Sequence, residues 1–564
     1  MLIQPILTFL AAIGLALAYQ HLPPDFKTTQ NPIVITPLGS IQGSTLRTRL
    51  GKTIYAFRGI RYAQPPVGEL RFQPPVPIEK HEGVYNATDD KPMCPQPTTD
   101  PTSEDCLYLN VYTTKLPSGN INNVKRPLIV HIHPGGFYSA GSASYWGGPQ
   151  YFMDQDIILV TFNYRLGTLG FLSTGEKEAP GNNGLKDQVQ VLRWIKQNIE
   201  AFGGDSGSVT IQGYSAGSIS VTCHMVSPMS RGLFHKAIAM SASGTSQSPI
   251  GHNLLDFARR QAKFVGCPEG NAKEIYNCLK TIPAADLANS LPKFAEWGTD
   301  PILLWTPVIE NDFGQERFLT AHPITLFMKG EFTKIPFMTG VTTDEFAFRS
   351  LYVIENSTLL KDINENWEKV APIPFQYERN TEKSKNISRA LRKFYFNDKP
   401  IDQSNLNKLG ELYADSMIGF GNNRAVKLVS AKNTAPTYYY KFSYQGDYSH
   451  NYLPGTNNTK PYGVVHHDDL IYLFYISKLF PLFGVDSPKE VGMVEILTTL
   501  HANFAKYGNP TPGHSKVLRN VSWEQFNNRT EKYLDIGTKL VMREKLFDDR
   551  YSEWERLFPL EQYA

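Results

Sequence analysis

Apolar and polar positions along the chain follow three rhythms. Residues 33 to 63 alternate apolar and polar with glycine turns between, which predicts antiparallel strands. "CLYLNVYTT" reads as a further strand. "RPLIVHIHPGGF" and "DIILVTFNYRLG" are continuous apolar runs, the first broken at Pro-Gly-Gly. "GLKDQVQVLRWIKQNIEAFGGD" sets Val189, Leu192, Ile195 and Ile199 at helical spacing and stops at glycines. "SVTIQG" then reads as a strand, "SAGSISVTCHMV" as a helix, and "HKAIAMSAS" and "IPFMTGV" as short strands. Strand, helix, strand, helix, strand predicts an α/β fold, with a large, mostly parallel central sheet flanked by helices. A small antiparallel sheet is expected at the N-terminus. Residues 350 to 435 are richer in charge and helical pattern and read as helical insertions forming a cap. Length alone suggests three or four domains. The chain holds no linker, repeat or low-complexity tract, so residues 19–564 are expected to form one large domain.

Charge and the chain ends narrow the class. With 56 basic and 53 acidic residues the net charge is +3, and no run of like charge could track a phosphate backbone, so nucleic acid is not an expected partner. Residues 6 to 18 are a short apolar run ending in Ala16-Leu17-Ala18, an A-x-A cleavage pattern, which predicts a secretory signal peptide over residues 1–18. That run is shorter than the about 20 residues a membrane-spanning helix needs, and no later stretch is long enough. A secreted, extracellular protein without a membrane span is expected. Four of the five cysteines form two close pairs in loop-like sequence, Cys94 with Cys106 and Cys267 with Cys278, each able to close a short loop. Cys223 falls in an apolar helical run and reads as a buried free thiol. Six N-x-S/T sequons, at Asn86, Asn356, Asn386, Asn457, Asn520 and Asn528, are candidate glycan sites.

The candidate chemistry begins at Gly213-Tyr214-Ser215-Ala216-Gly217. G-x-S-x-G arises by chance about 0.2 times in a chain this long, so the pentapeptide alone decides little. Its setting adds weight: "VTIQGYSAGSISV" is strand, turn, helix, the context in which a serine stands clear of the backbone at a helix N-terminus. Upstream, "HIHPGGFYSAG" follows a strand, where this architecture places the other donors to a substrate oxyanion. The donors would be the N–H groups of Gly135, Gly136 and Ala216. A serine hydroxyl also needs a base and an acid to orient it. Of 13 histidines, only His466 and His467 sit in a glycine-led turn followed at once by carboxylates. For the acid, Asp344 and Glu345 are neighbours that this reasoning does not separate.

Taken together, "FRGIRYAQPPVGELRF", "SEDCLYLNV", "HPGGF", "NYRLGTLGFL", "GNNGLKDQ", "FGGD", "GYSAG", "GVTTDEF" and "GVVHHDD" make the chain resemble the type-B carboxylesterase and cholinesterase family of the α/β-hydrolase fold. The resemblance runs over nearly the whole mature chain. It implies a Ser–Glu–His triad of Ser215, Glu345 and His466, disulfides Cys94–Cys106 and Cys267–Cys278, and an ion pair between Arg71 and Glu104. It implies ester hydrolysis through an acyl-enzyme, with a small-molecule ester as partner and neither metal nor cofactor. Three departures stand out. Pro134 replaces the first glycine of the commoner H-G-G-G-F, a position that is not an oxyanion donor in the family. Tyr214 replaces the glutamate that precedes the serine in many members. The 11 residues between Cys94 and Cys106 contain no tryptophan, whereas cholinesterases carry a longer loop whose tryptophan holds the choline cation. A carboxylesterase of lipophilic, non-choline esters is therefore expected, most like secreted insect esterases. Juvenile hormone, odorant and pheromone esters are alternative substrates, although the G-Q-S-A-G typical of juvenile hormone esterases is absent. The competing expectation is a non-catalytic adhesion or ligand-binding relative of the same fold.

Overall fold

The computed structural model describes residues 31–117 and 125–563; the expected signal segment, 1–18, lies outside the described residues. The strands in chain order are β1 (Ile33–Thr36), β2 (Gly39–Gln42), β3 (Ser44–Arg47), β4 (Thr53–Arg61), β5 (Val84–Asn86), β6 (Tyr108–Thr113) and β7 (Arg126–Ile132). They continue as β8 (Ile158–Phe162), β9 (Gly204–Tyr214), β10 (Lys236–Met240), β11 (Phe337–Thr342), β12 (Thr437–Phe442), β13 (Lys532–Ile536) and β14 (Leu540–Glu544). An eleven-stranded sheet has the order β14-β13-β12-β11-β10-β9-β7-β8-β6-β4-β3. It is parallel from β8 through β13 and antiparallel at both ends. This is the expected α/β-hydrolase architecture.

The small sheet differs in detail from its expectation. β1 and β2 form the antiparallel pair, but β5 adds to β2 in parallel. β3 and β4, read from the same alternating stretch, extend the edge of the large sheet instead.

The continuous apolar runs have a simple cause. Along β10, Ala237 and Ala239 face one core layer while Ile238 and Met240 face the other. Along β7, Leu128, Val130 and Ile132 face the first layer and Ile129 the second. Both faces are buried, so polar alternation is lost. Helices Asn183–Asn198, Ala216–Val226 and Phe420–Lys432 contribute Val189, Ile195, Val221 and Val426 to the first layer. Helix Pro488–Tyr507 contributes Val494, Leu497, Leu500 and Phe504 to the second. Residues 350 to 435 are helical as expected, yet Phe420–Lys432 belongs to the sheet rather than to a cap. There Asn422 donates from Nδ2 to Thr339 Oγ1 at 3.0 Å and to Gly340 O at 3.1 Å.

Two disulfides, Cys94–Cys106 and Cys267–Cys278, close their short loops, and Cys223 is a buried free thiol. The Arg71 guanidinium links them. It meets both carboxylate oxygens of Glu104 at 2.5 Å and donates to Lys280 O and Ile282 O at 2.9 and 2.5 Å. The pair is shielded, with side chains 11% and 15% exposed. Glu104→Ala leaves that guanidinium without its anion and is expected to cost about 3 kcal/mol, the low end for a shielded pair. The urea midpoint of the disulfide-intact protein checks this.

Candidate active site

The carboxyl edge of the sheet gathers the candidate residues. β9 ends at Tyr214, helix Ala216–Val226 begins at once, and Ser215 alone makes the turn at φ 54°, ψ −119°. For a residue with a Cβ this is a strained conformation, of the kind that persists where surrounding contacts enforce it. Here the Ser215 N–H donates to Met240 O on β10 at 2.9 Å, and its carbonyl accepts from Ile219 at 3.0 Å. The flanking glycines are a matter of contact. A Cβ on Gly213 would lie 2.1 Å from Gly217 O, and one on Gly217 would lie 2.1 Å from Ile132 O. The second contact presses the helix start against the end of β7, where the candidate oxyanion loop begins.

In that loop Gly135 and Gly136 have φ of 111° and 59°. The Gly135 carbonyl accepts from the N–H groups of Tyr138 and Ser139, both at 2.9 Å, and from Ser139 Oγ at 3.0 Å. The loop is therefore folded on its own oxygen atoms. The N–H groups of Gly135, Gly136 and Ala216 find no acceptor among the described residues, which leaves them available to an incoming anion. His133 ahead of the loop stacks on Tyr164, with ring centroids 4.3 Å apart, and burial drives its pKa down to about 4. It holds the loop as a neutral ring.

Glu345 follows β11 and is almost fully buried. Its Oε1 accepts the Thr342 N–H at 2.7 Å, and its Oε2 lies 2.5 Å from His466 Nδ1. The other imidazole nitrogen, Nε2, is buried and unpartnered among the described residues. The His466 ring is 5.0 Å from that of Tyr214, the residue before Ser215. The structure thus pairs Glu345 with His466 and sets the serine turn beside them.

Neither rival left by the sequence makes the Glu345–His466 contact. Asp344 Oδ2 accepts the Val464 N–H at 2.9 Å, and the Asp344 N–H donates to Val464 O at 2.9 Å, so this residue braces the histidine loop. His467 sits at φ 82° with its ring 4.3 Å from that of His466, and its N–H donates to Tyr214 Oη at 2.8 Å. Burial, then the neighbouring His466 and His450, hold its pKa well below the usual histidine value. Asp468 accepts the N–H groups of Val465 and His450 at 3.0 and 2.8 Å and the Ser449 hydroxyl at 2.9 Å. Asp344, Asp468 and Tyr214 are thus supports that the sequence reasoning missed. The local signal for Asp344 and Asp468 was their adjacency to the expected acid and base.

The candidate glycan sites fall outside this region of contacts. Asn86, Asn386, Asn457, Asn520 and Asn528 are exposed, and the half-buried Asn356 caps a helix through the N–H groups of Thr358 and Leu359.

One buried acid is held more weakly: the Tyr440 hydroxyl reaches Asp469 Oδ2 only at 3.4 Å. Asp469 Oδ1 is unpartnered among the described residues, and burial, then the charge of Glu345, push its pKa from 3.8 up to about 8. The folded state therefore binds this proton more tightly than the unfolded chain does. Its contribution to stability is present at acid pH and declines as pH rises through roughly 4 to 8. Asp469→Asn is expected to remove that part of the decline, so that the variant gains on the parent most above about pH 8. Urea midpoints measured across pH check it.

Comparison with known proteins agrees with the geometry. Residues 30–554 match the model of the carboxylesterase family. The chain is 37% identical over 511 residues to Esterase FE4 of Myzus persicae, covering 88% of this chain and 87% of that one. It is 37% identical over 536 residues to a juvenile hormone esterase of Tribolium castaneum, covering 91% and 89%. The crystal structure of juvenile hormone esterase from Manduca sexta superposes with a TM-score of 0.82 at 28% identity, covering 94% of this chain and 100% of that one. A parallel sheet with this serine turn, carried by a chain with these relatives, leads to one conclusion: the protein belongs to the carboxylesterase family and is a carboxylic ester hydrolase.

Proposed function

We propose that the protein is a secreted carboxylesterase of lipophilic, uncharged esters, working through Ser215, His466 and Glu345. The observation that carries this reading is the 2.5 Å contact of Glu345 Oε2 with His466 Nδ1, which leaves Nε2 as the nitrogen free to serve the serine. His466 takes the Ser215 proton as the hydroxyl attacks the ester carbonyl. Glu345 holds the imidazole in that tautomer and stabilises its charged form. The N–H groups of Gly135, Gly136 and Ala216 receive the oxyanion, a role worth about 3–4 kcal/mol per donor in the transition state. His466 then protonates the departing alcohol, and water repeats the sequence on the acyl-enzyme. Pro134, which has no N–H, lies before the two donors and leaves them intact.

The preference for uncharged esters rests on the Cys94–Cys106 loop. Gln96 clasps it to the oxyanion loop, accepting the Ala140 N–H at 2.7 Å and donating to Ala140 O at 2.8 Å. The aromatic rings following that loop are already engaged. Trp146 donates to Asp100 at 2.8 Å, and the Lys478 ammonium sits 4.9 Å from the centre of the Tyr145 ring while pairing with Asp100. A choline cation would compete there with the protein's own ammonium. Relatives named juvenile hormone esterase keep juvenile hormone esters among the candidate substrates. Secretion rests on the A-x-A pattern at residues 16–18 and the two disulfides, which suit an oxidising compartment. The sequons are then the chain's candidate glycan sites.

An organophosphate probe is expected to label the protein, and Ser215→Ala to abolish both labelling and ester turnover; a labelled alanine variant would remove Ser215 from its role. Naphthyl or p-nitrophenyl acetate is expected to be hydrolysed in preference to acetylthiocholine. The reverse order would overturn the substrate reading and leave the triad standing.

A further inference from the structure

The residue before the serine does more than end a strand. Tyr214 is fully buried and belongs to the second core layer, the one filled by helix Pro488–Tyr507. From there its hydroxyl accepts the His467 N–H at 2.8 Å. Its ring lies 5.0 Å from the imidazoles of both His466 and His467. His467 holds φ 82°, a conformation that side-chain-bearing residues rarely adopt, directly after His466. That turn decides where the preceding imidazole points, and it persists only if contacts enforce it.

Three side chains tie the histidine loop. Asp344 holds the Val464 N–H, Asp468 holds the Val465 N–H, and Tyr214 holds the His467 N–H. The first two reach the chain ahead of His466. The third reaches it from behind and comes from the strand that delivers Ser215. One residue is therefore bonded covalently to the serine and by one hydrogen bond to the residue after the histidine. The charge it brings also matters. Groups facing this region include Glu345, Asp344, Asp468, Asp469, His450 and His467, and four of the six are acids. A phenol offers an acceptor to the N–H without adding a fifth acid beside the Glu345 carboxylate.

We propose that Tyr214 is a positioning residue for the Ser215–His466 pair, its hydroxyl fixing the strained turn at His467 that aims the His466 imidazole at the serine. This rests on the proposed roles of Ser215 and His466. Its failure is distinguishable from failure of the Ser215 assignment, which is read from labelling of Ser215→Ala.

The test is Tyr214→Phe, which removes one oxygen atom and keeps the ring. Turnover of p-nitrophenyl acetate is measured per active site, with sites counted by organophosphate titration so that misfolded protein does not enter the rate. A small displacement of the base is expected to lower kcat per site by about 10- to 100-fold. KM stays within about two-fold of the parent, because the phenol makes no bond to substrate on this reading. No charge is added or removed, so the acid limb of the kcat/KM profile stays in place while its plateau falls. A kcat per site within about two-fold of the parent would overturn the proposal. So would a loss confined to KM, or one confined to the number of titratable sites. Should the phenylalanine variant not fold, Tyr214→Gln, which keeps an acceptor, is compared with Tyr214→Met, which does not. The glutamine variant is expected to turn over faster per site, and equal or reversed rates would overturn the proposal.

Discussion

The parallel register of five strands is the constraint on which the rest depends. Ile132 of β7 pairs with Gly213 of β9, and Gly213 pairs with Ala239 of β10. One residue on, Tyr214 pairs with Met240, Met240 with Gly340 of β11, and Gly340 with Tyr440 of β12. The strands thus end nearly level. The loop with Gly135 and Gly136, the Ser215 turn and the Glu345 turn leave the sheet at one edge within a few residues of these rows, and β12 leads on to the longer chain that brings His466 back. Ligands in open α/β sheets bind outside the carboxyl ends of the strands for the same reason. A slip of two residues would separate the serine turn from the oxyanion loop by about 7 Å, more than any hydrogen bond spans. Register is secured by burial of both faces. A slip of one residue would exchange Ile238 and Met240 with Ala237 and Ala239 across two filled core layers.

Within that frame, hydrogen bonding sorts chemically similar side chains into different tasks. Glu345 and Asp344 are neighbours, as are His466 and His467. Glu345 accepts one backbone N–H and faces the imidazole, while Asp344 is spent on the backbone of the histidine loop. His466 faces the carboxylate, while burial and two neighbouring imidazoles keep His467 neutral. Burial raises the pKa of Asp468 to about 7 and that of Asp469 to about 8. Below neutral pH this leaves few competing anions around the imidazole, so the carboxylate bonded to it dominates the local field.

Much of this was legible in the sequence, and the unread part has a physical reason. The unbroken runs around Val130 and Val160 mark strands buried on both faces, and the first of them, β7, leads into the candidate oxyanion loop. Glycines required by contact, such as Gly213 and Gly217, are visible because no other residue fits within 2.1 Å of a carbonyl oxygen. The order of β12 and β13 in the sheet was not legible, because their parallel partners lie about 100 residues away in sequence. Nor was the choice between Asp344 and Glu345 open to local reasoning. It depends on Val464, Thr342 and His466, two of them more than 100 residues distant. The family resemblance supplied the assignment, and the hydrogen bonds give its cause. Tyr214 was legible only as a missing charge; its bond to the His467 N–H spans 253 positions.

The same logic bears on why the serine motif tolerates a tyrosine there. Tyr214, the last residue of β9, shares the second core layer with Met240, Tyr440 and Leu497, while its hydroxyl reaches the polar groups around the histidine loop. A carboxylate in that layer must be neutralised or paired, which for a fully buried acid costs several kcal/mol. Asp469 already meets this cost by keeping its proton into the neutral range. A second acid would compete with Glu345 for the charge that the imidazole can compensate. A phenol satisfies the His467 N–H, contributes its ring to the packing, and stays protonated because burial raises its own pKa far above neutrality. Tyr214 therefore ties the strand to the histidine loop without placing a further negative charge beside Glu345.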